Sequence, residues 1–119
     1  MSIKEIDPRT LQQWIAEGSA ILVDVREPHE HAQEHIPEAH HMPLSRFMPD
    51  SLPAHGEKIV VYHCATGART GTYGMHLSAA VPSASDVYHL AGGIMSWKMA
   101  GLGTKGAGAG SGPFPWMRF

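Results

Sequence analysis

Residues 58–70 read KIVVYHCATGART, and this stretch decides the fold. From Ile59 to His63, β-branched and aromatic side chains run without a polar break. A short apolar run of that composition predicts a buried strand of a parallel sheet, where both faces are covered. The chain's single cysteine, Cys64, follows at once, then small residues, Gly67, Arg69 and Thr70, and then a segment of helical character. A helix start leaves backbone N–H groups unpaired and carries partial positive charge. A loop curled around one point aims further N–H donors inward and makes a nest for an anion. Ala65, Thr66 and Ala68 are small enough to permit the curl, and Gly67 is able to take a positive φ. Beside the guanidinium of Arg69 and under such donors, a thiol gives up its proton more readily, and the thiolate is the reactive form. A lone cysteine is as often a buried structural residue; the A-T-G-A-R that follows Cys64 points instead to anion and sulfur chemistry.

On either side of this stretch the chain alternates strand and helix. Ile3–Ile6 reads as a short strand, and Asp7-Pro8 as an N-cap followed by proline at the first helical position. Leu11, Trp14 and Ile15 share one helical face, and Gly18 supplies the stop. Ala20–Val25 is a second strand and Pro28 to Glu34 a short polar helix. A brief strand at His40–Met42, a short helix around Arg46–Met48 and a turn-rich 49–56 lead into the central strand. A helix from about Arg69 to Ala80 is weakened by Gly71 and Gly74 and has to rely on packing. Val81–Ser85 reads as a loop, Asp86–Leu90 as a strand, and Gly92-Gly93 as a turn before a helix through Lys98; Trp14, Met95 and Trp97 are expected in the core. This order predicts an α/β fold, a small parallel β-sheet flanked by helices on both faces, with ligands at the edge where strands run into helices. Cys64 lies on that edge.

At 119 residues the chain holds one core, assigned to residues 1–101. Residues 102–112 read as a glycine-rich flexible linker and 113–119, PFPWMRF, as an apolar tail. The tail is either disordered or an anchor that docks on this domain or on a partner. Net charge is −2, so no basic surplus supports a nucleic-acid role. No apolar run is long enough for a transmembrane segment, and a single cysteine fits a reducing, cytoplasmic setting. Five of nine histidines fall between His29 and His41, with His31 and His35 four apart. That spacing is used by two-histidine metal sites, yet the surrounding residues read as a solvated polar helix, and no metal and no cofactor is assigned.

The loop from Cys64 to Arg69 resembles the active-site loop of the single-domain rhodaneses, thiosulfate sulfurtransferases whose pattern is a cysteine, four residues and an arginine. VDVREPHEH at 23–31, HIPEAHHMPL at 35–44 and YHLAGGIMSW at 88–97 resemble further landmarks of the family in the same order, and the resemblance covers Ile3 to Gly101. It implies that the Cys64 thiolate attacks the outer sulfur of a donor such as thiosulfate, expels sulfite and forms a persulfide that passes its sulfur to cyanide or to a protein or low-molecular-weight thiol. The N–H groups from Ala65 to Thr70 would hold the persulfide, Arg69 would draw the donor or brace the loop, and an already ionised thiol needs no general base. Asp24 and Arg26, with Glu27, are implied to be structural. Glu38 stands where the family usually has glycine, so a positive φ there would be strained. His63-Cys64, Gly67, Arg69 and Thr70 are also similar to the signature of cysteine phosphatases and arsenate reductases, which places five residues, not four, between cysteine and arginine. A third reading is a persulfide carrier or interaction module without turnover of free substrates.

Overall fold

The computed structural model describes residues 3–81 and 86–106. Five strands, β1 (Lys4–Ile6), β2 (Ala20–Asp24), β3 (His40–His41), β4 (Ile59–His63) and β5 (Val87–Leu90), form one sheet in the order β1-β5-β4-β2-β3. Every pairing is parallel. The helices are α1 (Pro8–Ala16), α2 (Pro28–Gln33), α3 (Ala68–Thr72), α4 (Gly74–Ala79) and α5 (Gly93–Met99). Ile59–His63 is therefore the middle strand, and a strand flanked on both sides has to be apolar along its length.

Alternation along β4 divides the core. Val60, Tyr62 and Cys64 face a layer with Val23, Val25, Met42 and Leu77 of α4. Val61 faces the other layer, with Leu11 of α1, Leu22, Leu90, and Ile94 and Trp97 of α5. Helices cover both faces, as expected. Burying a side chain of the Leu or Val class contributes roughly 1.5–3 kcal/mol, so each layer is a substantial share of the driving force. The Asp7 carboxylate caps α1, accepting from the Thr10 amide at 3.1 Å and the Thr10 hydroxyl at 2.6 Å.

Four details depart from expectation. The single helix over 69–80 is two, broken at Tyr73, whose φ of −96° and ψ of 17° lie outside the helical region. The break brings Gly74 against Ile3: a Cβ there would sit 2.9 Å from the isoleucine Cγ2, so glycine is needed for the close approach. The short helix around 46–48 is instead a pair of 3₁₀ turns at Leu44–Arg46 and Pro49–Ser51. Met95 is exposed, because α5 buries Gly93, Ile94 and Trp97 and turns residue 95 outward. No residue other than glycine has a positive φ among those described, so Glu38 carries no such strain.

The start of the stretch read as a flexible linker is docked. Trp97 donates its indole N–H to the Gly103 carbonyl (3.0 Å), Thr104 donates its hydroxyl to Glu34 (2.6 Å), and Lys105 exchanges backbone hydrogen bonds with His35 at 2.7 and 2.8 Å. Gly106 makes this possible, since a Cβ would meet the Gln33 carbonyl oxygen at 2.7 Å. The remainder of the linker and the apolar tail, residues 107–119, lie outside the described residues. No helix among the described residues is long and apolar enough to cross a membrane.

Candidate active site

Cys64 leaves β4 at the edge where the strands run into helices, and its side chain is buried. The chain then curls. Gly67 takes a φ of +93° and caps α3, the conformation anticipated from sequence. A Cβ on it would lie 3.2 Å from the Gly92 amide nitrogen. The curl brings the Gly67 amide to 3.1 Å from the Cys64 sulfur. Burial by itself pushes the Cys64 thiol up, but the amides of Thr70, Gly67 and Arg69, together with the Thr70 hydroxyl, outweigh it and hold the thiol below its ordinary value. Three loop amides and one hydroxyl therefore favour sulfur as an anion. Ala65, Thr66 and Ala68 supply the small side chains of the curl, and the Ala65 carbonyl turns away to accept from the Met95 amide at 3.2 Å.

Arg69 spends its hydrogen bonds on a carboxylate, while its charge still interacts with Cys64. Its guanidinium makes a two-pronged ion pair with Glu30 of α2, 2.7 Å in each contact. Of the two roles open from sequence, the geometry favours bracing the loop. Glu30, not singled out for this part, also accepts from the Glu27 amide at 2.9 Å, so the start of α2 is organised around the same carboxylate. Glu27 in turn accepts from the Ser45 hydroxyl at 2.5 Å. The Arg69 fork holds the Glu30 carboxyl down at about 2. A depressed carboxylate pKa stabilises above its ordinary value of about 4.3 and loses that contribution as pH falls toward the folded value. We expect Glu30→Gln to cost about 1 kcal/mol at neutral pH, discounted because both groups are part-exposed. The difference in urea midpoint between wild type and variant should shrink as pH drops from 4.5 toward about 2; a difference independent of pH would refute the assignment.

A charged cluster lies at the ends of β2 and β4. Asp24, at the end of β2, accepts from the Arg26 amide (2.9 Å), Nε (3.1 Å) and Nη2 (2.9 Å). All of these groups are buried, as is His63, whose Nε2 stands 3.6 Å from the Asp24 carboxylate. Burial works against the Asp24 charge, but His63 and the Arg26 fork and amide outweigh it and keep the carboxyl below the usual carboxylate range. Burial holds the His63 imidazole below its ordinary value despite Asp24. Arg26 also donates to the Glu34 carbonyl at 2.6 Å, tying β2 to the end of α2. Neither Asp24 nor Arg26 approaches the Cys64 sulfur within hydrogen-bonding distance.

The third support is α5. Its first turn donates to the loop from below: Ile94 N–H to the Cys64 carbonyl (3.0 Å) and Met95 N–H to that of Ala65. Gly93, φ +61°, lies so close that a Cβ would be 2.5 Å from the backbone of Cys64 and Ala65. His31, His35 and His41 stack with neighbouring ring centroids 4.1 Å apart and nearly parallel planes. Two of their ring nitrogens bond backbone carbonyls, His35 Nδ1 with His31 and His41 Nε2 with Arg26.

The sequence pattern described as "Rhodanese-like domain" matches residues 7–100, most of the chain. This chain belongs to the rhodanese-like domain family. An uncharacterized protein of Synechocystis is 43% identical to it over 99 residues, 83% of this chain and 54% of the relative. The chain thus spans about half the length of that relative. A protein of Allochromatium vinosum named sulfurtransferase is 33% identical over 101 residues, 84% of this chain and 92% of the relative. Among solved structures, a thiosulfate sulfurtransferase of Pseudomonas aeruginosa superposes with a TM-score of 0.74 at 27% identity, over 89% of this chain and 20% of that one.

Sequence anticipated the positive φ at Gly67, and the structure places Cys64 against the Gly67 amide and Asp24 and Arg26 together in a buried ion pair. Sequence missed Glu30, Gly93 and His89 as neighbours of the loop. Gly92-Gly93 was the available signal, because paired glycines before a helix announce a close backbone approach as well as a turn.

Proposed function

We propose that this rhodanese-like domain is a sulfurtransferase that carries sulfane sulfur on Cys64. The observation that carries the reading is the Gly67 amide at 3.1 Å from the buried Cys64 sulfur, in a loop whose Thr70 and Arg69 amides also hold the thiol below its ordinary value. The Cys64 thiolate attacks the outer sulfur of thiosulfate; a sulfur–sulfur bond forms at Cys64, the one within the donor breaks, and its electron pair leaves with sulfite. Cyanide or a thiolate then attacks the outer sulfur of the persulfide, and the electron pair of the breaking bond returns to Cys64. The amides from Ala65 to Thr70 form the cradle, and those aimed at sulfur stabilise the anion in both the resting and the persulfide state. The name of the Allochromatium relative supports the same reading. A domain relying on one free thiol suits a reducing, cytoplasmic setting.

A phosphatase or arsenate reductase must bind a tetrahedral oxyanion around the thiolate, and a guanidinium fork is the group suited to that task. Here the fork is spent on Glu30, and four residues rather than five separate Cys64 from Arg69. Both features favour a cradle for sulfur.

The test is intact mass after incubation with thiosulfate. We expect a gain of one sulfur atom, reversed by cyanide and absent in Cys64→Ser. A gain seen only with a protein persulfide donor would make the domain a carrier served by a partner. No gain with any donor would refute sulfur transfer.

A further inference from the structure

Thr70 and His89 extend the site away from the loop amides. The Thr70 hydroxyl oxygen is 3.6 Å from the Cys64 sulfur, 2.7 Å from His89 Nδ1 and 3.3 Å from the Gly67 carbonyl oxygen, a longer and weaker alternative acceptor for its proton. His89 Nε2 is in turn 3.6 Å from the Glu5 carboxylate. Cys64, Thr70 and His89 are buried, while Glu5 is exposed. The chain thiol, hydroxyl, imidazole, carboxylate thus runs from the sulfur to the surface across α3, β5 and β1.

A hydroxyl has one proton to give. With Glu5 facing Nε2, neutral His89 keeps its proton on that nitrogen, and a bare Nδ1 accepts the Thr70 O–H. The Thr70 oxygen then has a lone pair free for the Cys64 S–H. Moving two protons one place each, from Cys64 sulfur to Thr70 oxygen and from Thr70 oxygen to Nδ1, yields a thiolate and an imidazolium. In that state Nδ1–H donates to Thr70 and the Thr70 hydroxyl donates to the thiolate. The sulfur, the Thr70 hydroxyl and Nδ1 keep partners in either arrangement, and no other reactant is consumed.

We propose that His89 is a positioning residue that takes up, through the Thr70 hydroxyl, the proton released by Cys64, with Glu5 balancing the imidazolium. This rests on Cys64 being the nucleophile. It supplies, at one remove, the base that the sequence reading did without. Each neighbouring element is compatible with it. From β1, Glu5 is the charged group that faces the ring. From β4, the residue in register is Tyr62, an uncharged phenol whose O–H is given to the Leu77 carbonyl at 3.1 Å. From α3 come Thr70 and the backbone at Gly71, where a Cβ would lie 3.8 Å from His89 Cε1. Burial holds His89 below its ordinary value, partly offset by Glu5, so the imidazolium formed by the transfer depends on the Glu5 carboxylate facing it.

The experiment follows Cys64 alkylation by iodoacetamide against pH, which reads the thiolate with no sulfur donor present and so can fail independently of persulfide formation. His89→Asn keeps a polar partner for Thr70 but cannot carry a proton. We expect it to raise the pH midpoint by about one unit, an alkylation rate about tenfold lower near neutrality. Glu5→Gln, at an exposed position, should shift the midpoint the same way by less. In a Thr70→Val background, His89→Asn should add nothing, because the link is already cut; in a Thr70→Ser background, which keeps the hydroxyl, His89→Asn should again shift the midpoint. A His89→Asn profile that coincides with wild type, or a full additional shift in the Thr70→Val background, would overturn the proposal.

Discussion

Asp24→Ala is expected to destabilise the domain by about 3–5 kcal/mol, the typical cost of removing one partner of a buried ion pair. The carboxylate receives three hydrogen bonds from Arg26 within 3.1 Å and lies 3.6 Å from His63. Removing it leaves a buried guanidinium with, among the described residues, only the Glu34 carbonyl as acceptor. Against a total of about 5–15 kcal/mol for an ordinary domain, that is enough to unfold a sizeable fraction of molecules at physiological temperature. Urea denaturation of both proteins at neutral pH measures it. Because the Asp24 pKa is depressed in the folded state, its contribution is present above the ordinary carboxylate value and lost as pH falls through the folded one. The gap between wild type and variant should therefore close on acidification. Removing both charges in Asp24→Ala/Arg26→Met should cost less than Asp24→Ala alone, since no charge is then left unpaired. A single variant within about 1 kcal/mol of wild type would contradict this account of the cluster.

Gly93→Ala is the second substitution with a large expected effect, on both stability and chemistry. An alanine Cβ would be 2.5 Å from the carbonyl carbon and oxygen of Ala65 and the carbonyl oxygen of Cys64, at a φ of +61°. Backbone cannot rotate out of the way as a side chain can. The strain of a left-handed residue and the overpacking add to about 3 kcal/mol or more. Relief requires the loop and the start of α5 to part, breaking the bonds from the Ile94 and Met95 amides. A shift of about 1 Å in the amides around the sulfur should lower sulfur transfer about a hundredfold. Gly101→Ala is the control: its φ is +80° but nothing lies within 4 Å of the added Cβ. It should lose about 1 kcal/mol from backbone strain and leave the transfer rate unchanged. Equal activity losses in the two variants would show that contact with the loop is not what Gly93 provides.

Ile59–His63 was legible because a continuous apolar run is what a strand covered on both faces requires, and β4 is the middle strand. Asp7-Pro8 was legible because capping is local chemistry: the side chain that ends the helix is adjacent to the amides it serves. The break at Tyr73 was not, because Gly71 and Gly74 weaken a helix without saying where it parts. The parting is set by the contact between Gly74 and Ile3, which lie far apart in sequence. Met95 was misplaced for a related reason, since apolar spacing on a seven-residue helix admits more than one face, and packing of Trp97 and Ile94 selects it.

By itself the sequence determined the class of fold, the strand that carries the thiol, and a loop whose glycine turns its amides onto that thiol. All of these depend on residues within a few positions of one another, and local sterics, capping and hydrophobic alternation act over that range. The tertiary structure alone decided that Arg69 is held by Glu30, that Asp24 faces His63 across β2 and β4, that Gly93 supports the loop, and that His89 stands behind Thr70. Those partners are joined by strand order and register. Parallel crossovers bring residues tens of positions apart to one sheet edge, and no local pattern encodes which of them will meet there.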